Sequence, residues 1–143
     1  MEPKNPAYRE RVMALVEEPP FMRNLGTRFV DARPGYCETV LTVTDAHLQQ
    51  DGYVHAGVQG ALADHTSGCA AFTLVAADDI ILTAEYKVNL LRPGVGERLR
   101  CRATVLRAGR TLMVTEADVL AERDGEERLV ARVTATMAVT TAR

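Results

Sequence analysis

Apolar positions recur along this chain first at helical and then at strand spacing. Tyr8, Val12, Leu15 and Val16 fall at i, i+4, i+7 and i+8 behind Asn5-Pro6, which predicts a short amphipathic helix over about 5–17, ending before Pro19-Pro20. From Leu25 to Val43 the spacing shortens to two. Cys37, Thr39, Leu41 and Val43 share one face there, and Pro34-Gly35 divides the stretch into a hairpin. Residues 44–56 are polar, with Gly52 and Tyr53, and read as a loop. A long run of Ala, Gly and aliphatic positions then predicts a helix over about 58–76, closed by Asp78-Asp79. Beyond it, Leu82, Ala84, Tyr86, Val88 and Leu90 alternate with Thr83, Glu85, Lys87 and Asn89. Leu99, Cys101, Ala103 and Val105 alternate in the same way with Arg98, Arg100, Arg102 and Thr104. Turns at Pro93-Gly94, Ala108-Gly109 and Asp124-Gly125 separate strands near 80–91, 97–107, 111–121 and 128–140, which are expected to run as an antiparallel meander.

A helix this apolar on nearly every side needs a concave partner, and the dry faces of the strands supply one. The expected fold is α+β, a curved antiparallel sheet wrapped around one long central helix, with residues 1–143 forming a single domain. An edge strand left open offers pairing to a second copy. The composition agrees: 143 residues, 47% of them hydrophobic and 25% charged, suffice for one core. A formal net charge of −2 argues against a nucleic-acid or membrane-surface protein. No apolar run approaches the roughly 20 residues of a membrane span. Cys37, Cys69 and Cys101 are odd in number and widely spaced, with no secretory leader before them, so a reducing, cytoplasmic setting is expected.

The chemistry centres on one residue. Asp64 is the single acid between His55 and Phe72, in a segment where an ionised carboxylate is costly unless partnered or used. Burial is expected to raise its pKa and its basicity, fitting it as a general base or a nucleophile. The start of the same helix carries unpaired N–H groups, and Gly57 allows close approach of a ligand. Donors and acid are on the order of 10 Å apart along the helix, too far for one helix to serve both ends of one reacting group. The two parts are therefore expected from different subunits of at least a dimer. His55, at the loop-to-helix junction, reads as a brace for the donor loop. Two other arrangements remain open: a structural pairing of Asp64 with His65 or a backbone donor, and a His65–Cys69 nucleophile at i, i+4. No standard metal spacing is present, and no metal is expected.

Several motifs resemble one family. Val54-His55-Ala56-Gly57, Leu62-Ala63-Asp64, Thr83 through Pro93 and Ala108-Gly109-Arg110-Thr111-Leu112 are similar to the hotdog-fold acyl-CoA thioesterases of the phenylacetic-acid-degradation type. The likeness spans roughly residues 20–140. It implies hydrolysis of a CoA thioester of an aryl or short-to-medium acyl group, with Asp64 as base or nucleophile and the Ala56 and Gly57 amides holding the thioester oxygen. It implies that Gln49 lies near the carboxylate and that Thr83 helps hold the attacking water. It also implies a homodimer, assembled further into a dimer of dimers. The family reads His-Gly-Gly where this chain reads His-Ala-Gly. Alanine keeps its N–H but loses cheap access to positive φ, so the donor requires a geometry that suits a Cβ.

The substrate brings coenzyme A with it, and no other cofactor is expected. From Lys87 to Arg110 the chain carries seven basic side chains against Glu97 alone. Guanidinium groups suit the phosphates of coenzyme A, and Arg92 and Arg110, placed at turns, are the candidates to meet them. Two competing functions are a non-catalytic acyl-CoA-binding module and a hotdog hydratase or dehydratase. The latter predicts a close Asp and His pair bracketing an Asn-Pro turn, which the sequence lacks.

Overall fold

The computed structural model describes residues 1–141; residues 142 and 143, part of the expected domain, lie outside the described residues. Ten elements follow one another: α1 (Tyr8–Glu17), α2 (Pro20–Leu25), β1 (Thr27–Arg33), β2 (Tyr36–Thr42), a 3-10 turn (Asp45–His47), α3 (Ala56–Phe72), β3 (Asp79–Leu90), β4 (Arg98–Ala108), β5 (Leu112–Arg123) and β6 (Glu126–Thr141). The strands form one six-stranded antiparallel sheet in the order β1-β2-β4-β5-β6-β3. The α+β expectation of a sheet around one long helix is what the chain adopts. Helix α3 touches every strand, and Leu62, Ala63, Cys69, Ala70 and Ala71 on it are buried with Leu41, Leu99, Cys101, Val119, Val133 and Met137 of the sheet.

Two expectations are corrected. Only β4, β5 and β6 form a meander: β3 does not pair with β4 but crosses to the far edge and pairs with β6. Residues 91–97 make that crossing, with the Leu91 and Arg92 amides donating to the Val130 carbonyl and the Glu97 amide to the Glu122 carbonyl. The second correction concerns Pro19-Pro20, which does more than end α1. Pro20 opens α2, because proline at the first helical position gives up an N–H that has no partner there anyway. Gly26, at φ 78°, then ends α2 in the left-handed conformation.

Buried polar groups tie α3 to the sheet. The Thr66 hydroxyl donates to the Leu62 carbonyl at 2.7 Å, so at its 2.7 Å contact with Thr39 on β2 it accepts. Thr73 closes the helix by donating to the Ala70 carbonyl and accepting from the Gly35 amide in the β1–β2 turn. Because the backbone leaves the helix there, Leu74 and Val75 turn into the core, and the helix is shorter at this end than its apolar pattern predicts.

On the outer face the run of arginines on β4 is met by carboxylates. Arg100 reaches Glu38 at 2.9 Å and also pairs with Glu122 and Glu127; Arg98 joins Glu122, and Arg102 joins Glu38 and Glu127. Burial pushes the Glu38 carboxyl up, but the Tyr36 hydroxyl and the Arg100 and Arg102 guanidiniums outweigh it and hold it below its ordinary value. A depressed folded pKa contributes stability that is complete above the unfolded value and is lost as pH falls through the folded value. Resistance to urea is therefore expected to weaken on acidification below the ordinary glutamate range. Arg100→Met should lower stability at neutral pH by about 1–3 kcal/mol and shrink that acid loss. Identical acid limbs in the two proteins would show that the network does not stabilise the sheet.

Candidate active site

The start of α3 is built around a histidine cap. His55 is the N-cap, and its Nδ1 accepts the Gly57 amide at 2.8 Å, so the ring carries its proton on Nε2. Position 57 must be glycine for this: a Cβ there would sit 2.9 Å from Nδ1 and 3.3 Å from Cε1 of the ring. Two expected roles change. Gly57 does not present a free donor, because His55 takes its N–H, and the glycine serves the ring rather than a ligand. Ala56 is the first helical residue, not a left-handed one, so its Cβ costs nothing. The Ala56 N–H makes no hydrogen bond within the described residues and is the donor that remains.

Asp64 lies on a flank of α3 that the sheet leaves uncovered. With Ala61, His65 and Gly68 it forms a half-buried stripe, and a Cβ placed on Gly68 would meet open space. The helix is thus not enclosed on all sides in the single chain. The Thr83 hydroxyl donates to Asp64 Oδ1 at 2.7 Å. Asp64 and Thr83 line a cavity of about 130 Å³ with Leu15, His65, Cys69 and Phe72 among its walls.

Thr83 reaches Asp64 only because β3 is irregular. Thr83 faces Met137 and Glu85 faces Thr136, so Ala84 is an extra residue that resets the alternation. Before it Ile81 and Thr83 point at the helix; after it Tyr86 and Val88 do, and both lie within contact distance of a Cβ built at Gly60. Strict alternation, as expected from the sequence, puts Thr83 and Tyr86 on opposite faces.

His65 does not pair with Asp64. Its Nε2 is 2.7 Å from the Leu15 carbonyl on α1, and burial pushes its pKa down despite that carbonyl and the Asp64 charge, so the neutral ring donates to Leu15. No salt bridge reaches Asp64, and no hydrogen bond joins His65 to the buried Cys69, among the described residues. Nor does any cluster of His, Cys, Asp or Glu there have the makings of a metal site.

Within the single chain Gln49 stands with the helix start, away from that chain's own Asp64. Its Oε1 accepts the Asp51 and Tyr53 amides, and it lines a separate cavity of about 520 Å³ with His55, Ala56, Gln59, Leu90 and Arg92. The two cavities share no residue. Ala56 and Asp64, eight residues apart on one helix, are separated by about 12 Å of rise. Arg92 donates to the Leu129 carbonyl at 3.0 Å beside the Ala56 cavity. Arg110 is exposed in the β4–β5 turn at the other end of the sheet, a strand length or on the order of 30 Å away. The sequence reading passed over Gln59, although it is the only long polar side chain between His55 and Asp64.

A sheet of this order around a single helix that carries one acid is the hotdog architecture. The chain belongs to the thioesterase superfamily, whose family description matches residues 51–128. It is similar to a thioesterase family protein of Silicibacter pomeroyi, at 40% identity and a TM-score of 0.91 over 94% of this chain and 99% of that one. It also resembles a phenylacetic acid degradation-related protein of Ralstonia eutropha, at 26% identity and a TM-score of 0.78 over 90% of this chain and 96% of the other. The 1,4-dihydroxy-2-naphthoyl-CoA hydrolase of Listeria monocytogenes is 27% identical over 115 residues, 80% of this chain and 91% of that protein. These likenesses support thioester hydrolysis as the general reaction. Among the described residues no helix is long and apolar enough to cross a membrane.

The cap geometry makes a sharp distinction between neighbouring positions. Gly57→Ala should lower the melting temperature by a few degrees, corresponding to about 1 kcal/mol for a disrupted cap. Ala56→Gly should change it by less. Equal effects in thermal melts of the two variants would contradict the ring-over-glycine contact.

Proposed function

We propose that the protein is an acyl-CoA thioesterase whose active site is completed by two copies of the chain. The carrying observation is the separation on α3 of a free N-terminal amide at Ala56 from the Thr83-bound carboxylate of Asp64, each opening into its own cavity. General-base or nucleophilic contact needs about 3 Å, so the acid acting on a thioester held at Ala56 comes from the partner. The uncovered stripe of Ala61, Asp64 and Gly68 and the unpaired edge of β3, with Leu82, Tyr86 and Leu90 exposed, supply the surface for a second copy.

In this reading the thioester oxygen docks on the Ala56 N–H, where the helix dipole favours developing negative charge. Asp64 of the other copy attacks the carbonyl carbon or takes a proton from the attacking water, and Thr83 fixes the carboxylate rotamer through its hydroxyl. His55 and Gln49 hold the donor loop. Arg92 lines the Ala56 cavity and Arg110 is exposed in the β4–β5 turn, and these two guanidiniums are the candidates for the phosphates of coenzyme A. The Listeria relative's named substrate, a CoA thioester, supports the same leaving group. The products are the free acid and CoA thiol.

Free-thiol release over aryl, short and medium acyl-CoAs tests the activity. Asp64→Asn and Asp64→Ala should abolish turnover, and Thr83→Val should reduce kcat about tenfold by freeing the carboxylate. Retained turnover in Asp64→Asn would remove the acid from the chemistry. The two-copy site has a separate test. Ala56→Pro deletes the donor at a position that tolerates proline, after a residue whose ψ of 138° already suits one. Ala56→Pro and Asp64→Asn, each inactive alone, should regain about a quarter of parent activity when unfolded and refolded together, since half the dimers carry one intact site. No recovery in demonstrably mixed dimers would place both groups in one chain.

A further inference from the structure

The cavity at Asp64 changes character along its length. At one end stand the Asp64 carboxylate and the Thr83 hydroxyl, 2.7 Å apart. Tyr86 and Val88 lie beside Gly60 and Thr83 beside Asp64, so β3 runs opposite to α3, and Ile81 falls further toward the end of the helix, with Cys69 and Phe72. Leu15 of α1 completes that apolar end. The remaining ring in the lining, His65, is neutral and keeps its Nε2 on the Leu15 carbonyl. None of the described residues around the cavity is a lysine or an arginine.

Leu15 is held in place by more than packing. One turn earlier on α1, the Arg11 guanidinium donates to the Ala76 carbonyl at 2.9 Å and to the Asp79 carbonyl, both beyond the end of α3. It also lies over the Phe72 ring, 4.6 Å from the centroid. Together with the His65 contact, these bonds pin α1 to α3 and to the start of β3 on either side of the apolar wall. The cavity so bounded measures about 130 Å³. An apolar cavity of about 150 Å³ takes up one benzene molecule, so this one has room for a single ring or a chain of similar bulk.

A thioester attacked at Asp64 extends two arms from its carbonyl carbon. The thiol arm of coenzyme A carries amides and phosphates, which are costly to bury in a small apolar space. The Ala56 cavity, about 520 Å³ with Arg92 in its lining, has room and charge for that arm. The acyl arm is left to the Asp64 cavity. We infer that this cavity is the acyl pocket and that Leu15 of α1 sets its length, so that the preferred substrates carry an apolar acyl group of at most about six carbons beyond the carbonyl. The inference rests on Asp64 acting at the thioester carbon. Arg11 and His65 are then positioning residues, which act by holding α1 in place.

The test reads kcat/KM over straight-chain acyl-CoAs from acetyl to palmitoyl, with benzoyl-CoA beside them. For the parent protein it should rise by about 4-fold per added methylene as the chain fills the pocket, peak near hexanoyl and fall at least about 10-fold by decanoyl. Leu15→Ala keeps the main-chain carbonyl that His65 holds, and should move the peak about two carbons longer. Leu15→Phe fills the pocket and should lower the hexanoyl-to-acetyl and benzoyl-to-acetyl ratios by about 10-fold. A role in packing alone would lower the melting temperature of Leu15→Ala and leave the peak where it was. Should one variant fail to fold, the other and the parent profile still decide. A parent profile that climbs through to palmitoyl, or a profile that stays as in the parent in the variants that fold, overturns the inference while thioester hydrolysis stands. Absence of turnover of every acyl-CoA by the parent overturns the proposed function, and the inference with it.

Discussion

A helix made largely of alanine, glycine, serine and threonine has little side chain with which to fill a core, so its burial depends on a sheet that comes close and curves around it. Helix α3 meets that constraint with all six strands. Small residues bring the backbone near the sheet, and the cost of burying Thr66 and Thr73 is offset by hydrogen bonds to Thr39, Leu62, Gly35 and Ala70. The same close packing fixes what the helix offers at its start and along its open flank. His55 and Gly57 use up one terminal amide, Ala56 keeps another free, and Asp64 emerges where the sheet ends.

That last feature depends on a single extra residue. Sheet alternation carries one face inward at a fixed period of two, and a strand that obeyed it throughout β3 could aim either Thr83 or Tyr86 at α3, but not both. The bulge at Ala84 spends one residue to reset the phase. Tyr86 and Val88 then pack beside Gly60, while Thr83 holds the acid. Packing of the helix and orientation of its carboxylate are thereby both served by one edge strand, at the place where the sheet remains unpaired.

The charge pattern shows how far a sequence tally reaches. Seven basic residues between Lys87 and Arg110 stand out along the chain. In space Arg98, Arg100 and Arg102 meet Glu38, Glu122 and Glu127 from β2, β5 and β6, so these three are neutralised on the outer face. Arg92 and Arg110, at turns, stay outside that network and mark opposite ends of the sheet.

The sequence by itself determined the elements that local periodicity encodes: the amphipathic α1, the β1–β2 hairpin at Pro34-Gly35, the apolar α3 with its lone acid and the four long strands after it. It also singled out Asp64, because an acid in an apolar helix is unusual in any context, whereas the roles of Thr83 and of the Ala56 and Gly57 amides came from the family resemblance. Only the tertiary structure decided that β3 crosses to β6, that Ala84 bulges, that Gln49 stands apart from the same chain's Asp64 and that the Gln59 Oε1 is buried without a partner among the described residues. Each of these depends on which residues distant in sequence become neighbours. Strand order, register and hydrogen-bond satisfaction are properties of pairs, and a periodic pattern along one chain carries no record of its partner.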